Sequence, residues 1–208
     1  MVKSLKITAA VGFGVLAISL GVLTIRTHAE EFRPGVVAYT ADGQLLFPKD
    51  FRRWVYLTSG LDMSYDAKGD APADSTFDNV FVDPAAYAAF LKTGTWPDGA
   101  VMVLEHRQGS QRGSINQRGH FQSDRRGIEV HIKDTSRFKG GWAFFSFPAQ
   151  APAPMIPQSV ACYACHTAHA AVDTTFVQFY PTLLPTAKAK ATFSTAYLAE
   201  EAARTAKD

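Results

Sequence analysis

The chain has two cysteines, three residues apart, with a histidine directly after the second: Cys162-Tyr163-Ala164-Cys165-His166. On a helical turn, residues three apart present both sulfurs on one side. That arrangement matches the two porphyrin vinyl groups that become thioethers. The imidazole of His166 then reaches the iron from the same side, so the pattern is the attachment signature of a c-type haem. Other chemistries use these residues too. A thioredoxin-type dithiol needs a βαβ context, and the sequence offers none. A disulfide across three residues closes almost no loop. A zinc site could add His169, but structural zinc ligands usually come as two pairs from separate elements. One covalently held haem c, with His166 as the metal ligand and Cys162 and Cys165 as anchors, is the favoured reading.

The sixth coordination position then decides function. An electron carrier takes a second strong axial ligand, commonly Met or His. The candidates are Met63, Met102, Met155, His106, His120, His131 and His169, and spacing singles out none. His169 lies one turn beyond His166 and reads as a surface residue, while Met102 alternates with aliphatics and reads as core. An enzyme or gas binder instead keeps the position vacant beneath a shaped pocket.

The elements that must position these residues are mostly strands. Ala100 to Arg107 and Ile128 to Ile132 alternate in hydropathy, and Val80-Phe81-Val82 is short and β-prone. Trp142 to Phe147 is apolar on both faces, which predicts a central strand. Gln44 to Pro48 leads into an aromatic-rich strand over Phe51 to Thr58. Asp83 and Pro84 supply an N-cap and a first helical residue for a helix from Ala85 to about Thr93, ended by Gly94. Asp66 to Asp78 reads as a polar loop, and Gln108 to Arg126 as a solvated hairpin loop rather than a docking surface for an acidic partner. Pro148 to Pro157 reads as an extended connector into a helix from about Ser159. The Ala- and Lys-rich tail after Pro185 suggests a frayed helix. Phe176, Phe179 and Tyr180, at helical spacing, would pack on the haem edge or the sheet. The fold class is α+β, mainly β: an antiparallel sheet with short helices and a C-terminal haem-binding helical segment.

Composition sets outer bounds. The 208 residues are 47% hydrophobic and 19% charged, with a net charge of +2, enough for one globular domain and a poor match to a nucleic-acid binder. Lys3 and Lys6, the uncharged run from Ile7 to Ile25 and the Thr27-His28-Ala29 segment read as a signal peptide over residues 1–29, cut after Ala29. An uncleaved anchor is the alternative, because the apolar run is near spanning length. Either way the body at 30–208, with its core at about 37–185, is expected outside the cytoplasm, in the periplasm. That is where c-type haem is attached in bacteria.

An ordered set of further motifs resembles the cytochrome P460 family and its relatives the cytochromes c′-β. The set comprises Leu45 to Val55, Val82-Asp83-Pro84-Ala85-Ala86-Tyr87, Lys92-Thr93-Gly94, Pro97 to Val101, Lys133 to Phe138, Gly141-Trp142-Ala143-Phe144 and the cysteine motif. The resemblance implies a homodimer of β-rich subunits, each with one five-coordinate c-haem. It also implies a lysine bonded to the macrocycle just after the Gly99-Ala100-Val101-Met102-Val103 strand. Here that residue is Leu104, which has no nitrogen to form the bond. The resemblance is therefore to the cross-link-free branch, with Leu104 as an aliphatic cap over the distal iron face and small neutral diatomics such as NO as ligands. Phe77 and Phe81 are the alternative caps. Glu129 matches the position of a proton-relaying acid in P460 enzymes. Its alternation with Ile128 and Val130 leaves open whether it lines a polar pocket or is solvated.

The leading expectation is an NO-binding exported cytochrome. The first alternative is a redox enzyme acting on hydroxylamine, NO or peroxide with Glu129 as proton relay, and the second is a six-coordinate electron carrier with a redox partner protein. Trp54, Trp96 and Trp142 read as core, and Lys133 and Asp134 as turn formers.

Overall fold

A computed structural model describes residues 37–64 and 74–206. The signal-peptide expectation and most of the Asp66–Asp78 loop lie outside the described residues. Five strands, β1 (Val55–Leu61), β2 (Thr76–Val82), β3 (Val101–Ser110), β4 (Phe121–Lys133) and β5 (Trp142–Phe147), form one antiparallel sheet in the order β1-β2-β3-β4-β5. Four helices accompany it: α1 (Pro84–Thr93), α2 (Ala161–His169), α3 (Leu184–Lys190) and α4 (Thr195–Thr205). The α+β reading holds. Every strand pair of this sheet is antiparallel.

Side chains alternate across each strand, so the sheet has two different faces. One carries Val101, Val103, Ile128, Val130, Ile132, Ala143 and Phe145 into a core closed by Leu45 and Phe51. The other carries Leu57, Val82 and Met102 against Phe90 of α1, Trp96 of the loop after it, Leu183 at the cap of α3 and Ala187 within α3. Phe90 is fully buried, which is worth about 2 to 3 kcal/mol of transfer free energy.

Asp83 builds the β2–α1 corner. Its carboxylate accepts from Ala86 N at 2.8 Å, capping α1, and from Val101 N at 3.0 Å, tying the cap to β3. Gly94 ends the helix at φ +77°, a left-handed conformation that suits glycine.

Four expectations need correction. The strand expected over Phe51 to Thr58 begins only at Val55, after a 3₁₀ turn at Phe51–Arg53. Trp142–Phe147 is not central but the last strand of the sheet. It reads as central because both its faces and its outer edge are covered. The Pro-rich connector bridges Phe145 at Met155, Ile156 N donates to Phe144 O at 2.8 Å, and Phe144 N donates to the Tyr163 hydroxyl at 3.2 Å. An edge protected in this way needs no polar face. The hairpin after β3 is shorter than Gln108–Arg126, because β3 and β4 extend through its polar residues to Ser110 and from Phe121. The tail after Pro185 is two helices rather than one: Ala191, at φ +54°, separates α3, whose Ala187 is fully buried, from α4. Among the described residues no helix is long and apolar enough to cross a membrane.

Candidate haem site

Strand register arranges the helix-side face of the sheet in rows. Val82, Met102, His131 and Phe144 pair across four strands; Val80, Leu104, Glu129 and Ser146 form the next row; Asp78, His106 and Gly127 form the third. Over these rows lies a cavity of about 460 Å³, within the ~300–1,000 Å³ usual for ligand and cofactor sites. Cys162, Cys165 and His166 line its helical side together with Phe176, Phe179 and Tyr180. The three aromatics follow the sequence expectation in position, but around the 3₁₀ turn Val177–Phe179 rather than on an α-helix.

α2 is held over the first row by Tyr163. Its hydroxyl donates to Ile156 O at 2.9 Å, and its ring meets Phe144 edge-on at 4.8 Å. Cys162 and Cys165, one turn apart, both face the cavity and are partly exposed. The His166 ring packs 4.6 Å from Phe144 and 4.4 Å from Phe176.

His166 Nδ1 lies 2.7 Å from Thr174 O. A carbonyl only accepts, so Nδ1 carries the hydrogen and Nε2 keeps the lone pair that a metal needs. Burial pushes His166 below the usual histidine range, with the Thr174 hydrogen bond opposing it. The loop that delivers this carbonyl is built for the purpose. Val172 and Thr175 bridge, and Asp173 turns the chain at φ +52°. Thr175 Oγ1 accepts from the buried Trp96 indole at 2.7 Å, and Lys133 Nζ donates to Asp173 Oδ2 at 3.0 Å and to Trp96 O at 2.9 Å. Lys133 is thus a clamp between loops rather than a turn former. Asp134 is the turn former, accepting from Ser136 N and Arg137 N.

The candidates for a sixth ligand lie in different places. Met155, His120 and His169 do not line the cavity. His169 pairs with Glu200 of α4 at 3.0 Å. His131 is stacked 4.0 Å from Phe144 and lies 5.3 Å from the His166 ring, packed beside that imidazole. Its burial drives its pKa well down, and the neighbouring His166 adds to this. Met102 is 4% exposed and part of the core. Met63 lies at the exposed rim.

Leu104 faces the cavity in the middle row. Phe77 and Phe81, one residue out of phase with Asp78 and Val80, do not line it; Phe81 packs on the opposite core. Glu129 also faces the cavity, with its side chain 47% exposed, so it borders both the cavity and solvent. His106 is the residue that sequence reasoning undervalued. Its Nδ1 is 2.7 Å from Asp78 Oδ1, and its Nε2 is 3.8 Å from Glu129 Oε1. These carboxylates, Asp78 first, raise its pKa from 6.5 to about 9 against an opposing effect of burial. The signal was available: His106 stands two residues beyond Leu104 and must share its face.

Two thiols on one helix side, an oriented imidazole and an apolar cavity fit a porphyrin attached through Cys162 and Cys165. The family model for cytochrome P460 matches residues 48–177, more than half of the chain, and the protein belongs to that family. No curated protein matches the chain.

Proposed function

We propose that this protein is an exported mono-haem c-type cytochrome that binds NO or a related small neutral ligand on an open distal face. The single observation that carries the reading is that Leu104, an aliphatic side chain, occupies the middle of the cavity-facing rows opposite the His166 helix. Bound there, the haem would supply an iron atom able to take a small diatomic ligand. The chain's own residues would do the rest. Cys162 and Cys165 anchor the porphyrin, the Thr174 carbonyl orients His166, and Leu104 and Val80 exclude a firmly held water because they offer it no hydrogen bond. The absence of lysine at position 104 argues against the cross-linked chemistry of the family's hydroxylamine oxidases. A homodimer and a partner that delivers electrons belong to the same proposal, on the family resemblance alone.

A second reading is favoured by one observation, the Asp78–His106–Glu129 group on the same cavity. Proton donors at the rim suit a redox enzyme acting on hydroxylamine, NO or peroxide. Optical spectra of the purified ferric and ferrous protein, with and without NO, test the choice. A high-spin ferrous form that takes up NO is expected. A low-spin six-coordinate spectrum inert to NO and CO overturns the proposal in favour of an electron carrier. Steady-state turnover that collapses in Glu129→Gln would establish the enzyme instead.

A further inference from the structure

His106 lies on the cavity face of β3, two residues past Leu104, and its two ring nitrogens face different surroundings. Nδ1 is committed to Asp78 Oδ1 at 2.7 Å. Nε2 points toward Glu129, but at 3.8 Å it is too far for a direct hydrogen bond. The residue paired with His106 on β4 is Gly127, which has no side chain to fill the space; an added Cβ there would meet His106 Cδ2 at 4.0 Å. The imidazole is therefore oriented by one carboxylate and left with a second N–H available at the cavity. An acid behind Nδ1 is also how histidines are steered in proton-transfer sites.

We propose that His106, oriented by Asp78, is the hydrogen-bond and proton donor to whatever small ligand occupies this cavity, with Glu129 as its link to solvent. The inference rests on the haem reading of the site and adds to it the group that meets the outer atom of the ligand. The ligand class it selects carries an acceptor atom at that outer end. In the transfer, the Nε2–H bond breaks and a bond from the proton to the ligand's acceptor atom forms. The electron pair stays on Nε2, leaving a neutral imidazole. Glu129, 47% exposed and 3.8 Å from Nε2, returns a proton from solvent. No electron moves in this step. The charged groups facing His106 are Asp78 from β2 and Glu129 from β4. Glu105 and Arg107, its neighbours in β3, pair with each other at 3.4 Å on the opposite face.

The test is the C–O stretching band of the ferrous CO complex of the intact haem protein, recorded by infrared spectroscopy from pH 6 to 10.5. The band should shift with one midpoint near pH 9, where the imidazolium would lose its proton. His106→Phe should abolish the titration. His106→Gln, which keeps a donor, should hold the band near its hydrogen-bonded position without titrating. Asp78→Asn should move the midpoint down. A wild-type band that does not move with pH overturns the inference without recourse to any variant, and so does a titration that survives in His106→Phe. Failure to bind CO at all, with a six-coordinate spectrum, overturns the proposed function and this inference together, so the two failures are told apart.

Discussion

The imidazolium of His106 should hold part of the fold together, and alkali should remove that part. Unfolded, the histidine titrates near 6.5; folded, between Asp78 and Glu129, near 9. Below about pH 6.5 both states carry the proton and the contribution is complete. Between 6.5 and 9 only the folded state carries it, so stability falls steadily, and above 9 the contribution is gone. The interval corresponds to about 3 kcal/mol at about 1.4 kcal/mol per pH unit. Glu129 is half exposed and solvent weakens its share, so about 2 kcal/mol is the working figure. The assay is urea unfolding of the haem protein, followed by far-UV circular dichroism, at several pH values from 6 to 10. Wild type should lose about 2 kcal/mol relative to His106→Gln over this range, and Asp78→Asn should lose most of that difference. High salt should trim the Glu129 share and leave the closer Asp78 contact. Parallel stability curves for wild type and His106→Gln would refute the reasoning, because the linkage belongs to this one side chain.

Asp83→Ala should cost about 3 kcal/mol in the same unfolding assay, since it removes the α1 cap and leaves the buried Val101 N–H without an acceptor. Thr175→Val should cost about 1 to 2 kcal/mol by stripping the buried Trp96 indole of its acceptor. Because it loosens the turn that carries the Thr174 carbonyl, it should also alter the iron–histidine stretch in resonance Raman spectra. Leu104→Lys places an amine on the cavity face, at the position the family resemblance gives to the cross-linking lysine. A red-shifted haem spectrum is expected, and an unchanged one would show that the strand is misaligned with the family pattern.

Much of this was legible in the sequence because the deciding signals are local. The Asp83-Pro84 start and Gly94 stop of α1, the alternation in β3 and β4, and the Cys162–His166 helix each depend on residues within a few positions of one another. What escaped is long-range. The position of β5 at the edge depends on a connector folding back at Met155 and on a tyrosine hydroxyl from α2, neither of which marks the strand itself. The pairing of His106 with Asp78 joins residues 28 positions apart on two strands, and only register reveals it. Lys133 was misread for the same reason, since its partners Trp96 and Asp173 are distant in sequence.

The register of β3 is where fold and site depend on each other. Its cavity-facing residues run Met102, Leu104, His106, a gradient from buried thioether through aliphatic to charged imidazole. The residues between them face the other core, and among these Glu105 is completely buried. Its carboxylate is held by Arg52, by Arg107 and by Asn79, which itself exchanges hydrogen bonds with Gln122. A slip of one residue would turn every side chain to the opposite face. It would bring Glu105 to the cavity face and strand His106 among Ile128, Val130 and Phe145 of the neighbouring strands. Burying an unpaired charge costs several kcal/mol, so the Glu105 network penalises that slip far more than aliphatic alternation alone could. The ion pair on the face away from the cavity thus fixes which side chains the cavity receives. This accounts for the presence of a buried carboxylate one residue from a position where the proposed chemistry needs hydrocarbon.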